Sequence, residues 1–94
     1  MSGMQDFFSV RAKSLNDAIE CAWKHSRDCQ YEYGHSGFTG TFAELEMITD
    51  LRKQVETMDE AYALAEVWME TSSTNTACVI RAGDVYLFAG WFRD

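Results

Sequence analysis

Four side chains able to hold a metal or act as a nucleophile lie close together: Cys21, His25 and Cys29, spaced four apart, and His35 six residues on. Positions i, i+4 and i+8 share a helix face, and two cysteines with two histidines form a tetrahedral zinc set. Burial is the competing reading. Displacing the chain by 43 residues sets Cys21 on Leu64 and His25 on Trp68. These positions therefore ask for apolar bulk, and free cysteine packs as a small hydrophobe. Cys29, Glu32 and His35 also offer a thiol, an acid and a base. A nucleophilic thiol needs positive surroundings that lower its pKa, and here Asp28 opposes Arg27. No catalytic residue, metal or cofactor is expected.

The stretch YEYGHSGFTGTF, residues 31–42, carries glycines at 34, 37 and 40. A phosphate loop needs lysine and a hydroxyl after its last glycine, entering a helix. Gly40 is followed instead by Thr41-Phe42-Ala43, and no lysine or arginine lies between Arg27 and Arg52. The spacing and setting of a dinucleotide fingerprint are also missing. The glycines suit a turn, with positive φ available at Gly34 and Gly37. Such a turn would present Tyr31, Tyr33, His35 and Phe38 as aromatic recognition residues. The alternative is that these rings pack on the sheet of their own chain. Glu44 and Glu46 share one face of a strand, where solvated acids are far commoner than an acid–base pair.

These side chains need a scaffold, and 94 residues make one domain, 1–94. Two similar halves are expected, 7–48 and 50–92. At the 43-residue displacement Ser14-Leu15-Asn16-Asp17-Ala18 lies on Thr57-Met58-Asp59-Glu60-Ala61, and Gly40 on Gly83. Ser14 and Thr57 are N-caps, with Asp17 and Glu60 three residues later to complete capping boxes. The helix faces then read Leu15, Ile19, Ala22, Ser26 and Met58, Tyr62, Ala65, Met69. Strands are expected at Phe7–Ala12, Thr39–Ile48, weakly at Leu51–Val55, and at Ala77–Arg81 and Val85–Phe92, the last two joined as a hairpin by Ala82-Gly83-Asp84. The expected fold is α+β and two-layered. An antiparallel sheet of four to five strands would carry both helices on one face, in a ferredoxin-like β-α-β-β-α-β-β order.

Val85–Phe92 is apolar on both faces, Val85, Leu87, Ala89 and Trp91 on one, Tyr86, Phe88, Gly90 and Phe92 on the other. Strands of that kind are usually buried on both sides. Two layers cover only one side, so Tyr86, Phe88 and Phe92 are expected at a homodimer interface, or else under a partner or a loop of the same chain. An open aromatic sheet also resembles a base-stacking platform. Only Arg81 and Arg93 stand near these rings, so direct nucleic-acid binding is not expected.

Net charge is −7, and eight of the fifteen acids lie between Glu44 and Glu70, where Arg52 and Lys53 are the only cations. Such a field repels nucleic acid and draws in basic surfaces; its bland reading is a solvated helix face. Glu56, Asp59, Glu60, Glu66 and Glu70 are the acids expected to meet a basic partner. No window is apolar enough for a membrane helix, and MSGMQDFF has no basic stretch leading into an apolar core. Three cysteines, odd in number and without C-x-x-C spacing, fit reduced thiols in a cytoplasm.

Small size, acidity, doubly apolar strands and the aromatic glycine-rich stretch together resemble the small acidic proteins that phages encode against host defence, anti-CRISPR proteins among them. The resemblance is one of class. It implies a host-cytoplasmic inhibitor that occludes or assembles a nucleic-acid-binding target instead of catalysing a reaction. The alternative from another class is a small ligand- or nucleotide-binding oligomeric domain, with its site at the Gly34–Gly40 loop.

Overall fold

A computed structural model of the chain describes residues 3–33 and 39–93. The elements run β1 (Met4–Arg11), α1 (Leu15–Tyr33), a 3-10 turn (Phe42–Glu44), β2 (Met47–Val55), α2 (Met58–Met69), β3 (Thr76–Ala82) and β4 (Val85–Phe92). The class is α+β, with one four-stranded sheet in the order β1-β4-β3-β2. β4 pairs antiparallel with β1 and β3, while β2 and β3 are parallel. The sheet is therefore mixed, not antiparallel, and β2-α2-β3 is a parallel crossover unit. The order is not the ferredoxin-like one expected, which also asked for one more strand between the helices.

That extra strand fails for a local reason. Thr41 caps the 3-10 turn by accepting the Ala43 N–H, and Thr39 donates its hydroxyl to Glu44 at 2.8 Å. The turn buries Phe42, Ala43 and Leu45 in one core, whereas a strand sends neighbours such as Phe42 and Ala43 to opposite faces. The Phe42 N–H is held by the Asp6 carboxylate of β1 at 3.1 Å. β2 then starts at Met47 and absorbs the weak Leu51–Val55 strand.

Both expected N-caps form, but only the second closes into a capping box. The Ser14 hydroxyl accepts the Asp17 N–H at 3.2 Å, and Thr57 and Glu60 form a full capping box. Strand and helix starts repeat across the chain, Met4 with Met47 and Leu15 with Met58. The shared layout ends there, since α1 runs on to Tyr33 where the second unit enters β3. The buried line of each helix keeps half of the expected face, Ala22 and Ser26 on α1 and Ala65 and Met69 on α2. Ala18, Cys29 and Ala61 take the place of the rest, and Tyr62 is exposed. Small residues on these lines let each helix settle close to the sheet.

The helices lie on opposite faces, which corrects the two-layer expectation. One core joins Ala18, Ala22 and Cys29 of α1 to Val79, Tyr86, Phe88 and Phe92, closed at one end by Phe42 and Leu45. The other joins Ala61, Ala65 and Met69 of α2 to Cys78, Ile80, Leu87 and Ala89. Alternate residues of β3 and β4 thus feed different cores, and their continuous apolar runs are satisfied inside one chain. The two-residue hairpin turn at Gly83 and Asp84 is as expected, with positive φ at Gly83 (64°).

Candidate functional site

The acids expected to meet a partner gather on the outer surface of α2. Asp59, Glu66 and Glu70 fall at i, i+7 and i+11, one stripe of a helix, with Glu56 just ahead of the cap; all four are exposed. Among the described residues the only ion pair is Arg11 with Asp84, so none of these acids is neutralised. Glu60 is exposed too, but its carboxylate accepts the Thr57 N–H at 3.2 Å, so it serves the cap. Two apolar side chains interrupt the charge, Val67 at 65% exposure and Tyr62 at 37%. The Tyr62 ring is held edge-on against Phe7 of β1 at 5.2 Å. A ring held in place beside exposed acids has the chemistry an interface anchor needs.

The recognition residues of the 31–42 stretch do not form one loop. Tyr31 and Tyr33 belong to the last turns of α1, where Tyr31 stands 95% exposed. His35 and Phe38, with Gly34 and Gly37, lie outside the described residues. Gly40 is the glycine seen with positive φ (69°), and its N–H donates to the Arg93 carbonyl.

Tyr86, Phe88 and Phe92 are placed against expectation. They are 3%, 0% and 0% exposed, buried beneath α1 of their own chain. The aromatic face assigned to a second copy is already covered, and the argument for a homodimer through it falls away.

The sulfur and imidazole groups of α1 sit where packing explains them. His25 stacks on Phe8 with ring centroids 4.2 Å apart, and its Nε2 lies 3.6 Å from the Cys29 sulfur. Burial pushes the Cys29 thiol up, and Asp6, Glu32 and Asp28 push it further the same way. That is the reverse of what a nucleophilic thiolate needs. Burial likewise pushes Cys78 up to about 11. Among the described residues no three cysteine, histidine or acid side chains converge as metal ligands.

One grouping was missed at the sequence level. Arg52 and Lys53 fall within the weakly expected Leu51–Val55 strand, and Arg81 stands beside the aromatic rings in sequence. In the structure all three line a common cleft on the α1 face, with Asp50 and Tyr86. Two adjacent cations interrupting an alternating strand were the available signal. Comparison with protein-family models, with curated proteins and with solved structures finds no match to this chain. Among the described residues no helix is long and apolar enough to cross a membrane.

Proposed function

We propose that the chain is a non-enzymatic binding protein whose α2 surface docks on a basic protein, in the manner of an inhibitor that occupies a nucleic-acid-binding groove. One observation carries this reading: Asp59, Glu66 and Glu70 form an exposed stripe with no cation in ion-pair reach among the described residues. A charge stripe of this kind steers a basic surface and fixes its register. Tyr62 and Val67 add apolar contact at its centre. The phage anti-defence class supplies the biological setting, a basic effector in the host cytoplasm.

The position of the acids supports the reading further. Glu66 and Glu70 stand at the C-terminal end of α2, where the helix dipole is negative, and no basic residue occupies the last turn. They are also four apart, a repelling pair. Folding gains nothing from them there, which supports a use in binding over one in stability.

The test is affinity capture from host cells, identification of the bound protein, and measurement of its nucleic-acid affinity with and without the chain. Adding the chain weakens nucleic-acid binding by that partner, and the Glu66→Lys/Glu70→Lys variant, still folded, loses the effect. Undiminished competition by this variant would sink the charge argument.

A further inference from the structure

A second charged feature lies on the opposite side of the sheet and has the opposite sign. α1 packs over β1 and β4, and beside it, toward β2, a cleft of about 320 Å³ stays open. Val79 and Tyr86, almost fully buried, underlie it, and Leu15 borders it at the start of α1. Its volume is at the lower end of small-molecule sites, which begin at about 300 Å³.

Three of the chain's eight lysines and arginines converge here, Arg52, Lys53 and Arg81, against the single carboxylate of Asp50. That carboxylate is engaged: its Oδ1 accepts the Arg52 backbone N–H at 2.8 Å. None of the three cations is ion-paired among the described residues. Arg81 is held in place, its guanidinium over the Tyr86 ring at 5.7 Å and its Nε donating to the Gly83 carbonyl at 2.7 Å. Both of its Nη groups remain to bind something else.

The backbone of β2 is bent to make this arrangement. Asp50 pairs with Val79 and Gln54 with Arg81, so Leu51, Arg52 and Lys53 all stand opposite Ile80 alone. In a regular strand Arg52 and Lys53 would point to opposite faces. The bulge breaks the alternation, and both line one cleft. It does so with Arg52 at φ 56°, a left-handed conformation that disfavours any side chain. Strained non-glycine residues cluster at ligand clamps and active sites, and this one lines a cavity.

We propose that this cleft binds a small organic anion. Its phosphate or carboxylate head sits among Arg52, Lys53 and Arg81. Its compact apolar body rests against Leu15 at the edge of the cleft, whose floor of Val79 and Tyr86 is already covered. The site is separate from the acidic surface of α2, which lies across the sheet.

The test is an amide NMR titration of the 15N-labelled chain with phenyl phosphate and with benzoate, using benzyl alcohol as the uncharged body. Phenyl phosphate or benzoate produces saturable shifts centred on Leu15, Asp50–Gln54 and Arg81, with a Kd of about 1 mM or tighter. The tighter of the two assigns the head group. Arg52→Gly keeps the left-handed backbone while removing the charge, and weakens binding about tenfold or more. Lys53→Gln, which leaves Arg52 in place, weakens it in the same direction. Shifts that do not saturate, that centre elsewhere, or that benzyl alcohol reproduces overturn the site. So does an affinity unchanged from that of the native chain in both variants.

Discussion

At Gly90 of β4 a side chain has nowhere to go. A methyl group there would run into the Thr76 carbonyl oxygen and come within 3.1 Å of the Ala77 Cα. Both obstacles are backbone of the paired β3 strand, so neither can rotate aside. Gly90→Ala is expected to cost about 1–3 kcal/mol in urea unfolding, with the cooperative slope unchanged. A loss below the error of the measurement would mean the strands separate more easily here than the pairing implies. Cys78 acts through pH. Burial raises its thiol from 9.0 to about 11 in the folded chain. Below pH 9 both states keep the proton and the group adds no slope. From pH 9 to 11 the unfolded chain alone ionises, so stability falls as pH rises, by up to about 2–3 kcal/mol. Cys29, also raised, adds a fall of the same sign. Denaturation measured below pH 9 and near pH 11 checks this, because Cys78→Ala must flatten the difference.

The second helix is settled at its start and left with uncompensated charge at its end. Thr57 and Glu60 tie the first turn together through reciprocal bonds, and this was legible from residue types and spacing alone. The last turn carries Glu66 and Glu70 with no compensating base. Replacing each by lysine reverses an unfavourable dipole interaction, which is worth about 0.3–1 kcal/mol per position at low salt. The double variant is therefore expected to melt higher than the native chain while losing its partner. A lower melting temperature would reveal an intramolecular role for these acids. Other elements were less legible, for physical reasons. The residues Thr39–Ile48 alternate like a strand, yet the Thr39, Thr41 and Glu44 side chains close a turn there by bonding to one another and to the backbone. Such competition between side chain and ladder is invisible to periodicity. The β2 bulge was hidden for a related reason. Its signature is Asp50 bonding the Arg52 N–H, a local contact that residue types permit but do not demand.

On the scale of the whole chain, the doubly apolar character of β3 and β4 was plain in the sequence, and the layer that answers it was not. Helix starts do not say which side of a sheet each helix will take; chain connectivity decides that. Here α1 leaves β1 and returns to an edge strand, whereas α2 spans the parallel pair β2 and β3. The two fall on opposite faces and bury the central strands between them. This has a measurable consequence for assembly. If Phe88 lay between two copies, thinning it would weaken dimerisation, and the melting temperature would depend on protein concentration. With Phe88 fully buried beneath α1, Phe88→Leu instead costs about 1–2 kcal/mol as a core void. The loss should be the same at protein concentrations at least tenfold apart, because the ring is covered within one chain. A melting temperature that climbs with concentration in the native chain and stops doing so in Phe88→Leu would return this ring to an interface. Any self-association that survives the substitution must then use another surface, and the opposed charges of the α2 stripe and the Arg52–Arg81 cleft make added salt the first variable to change.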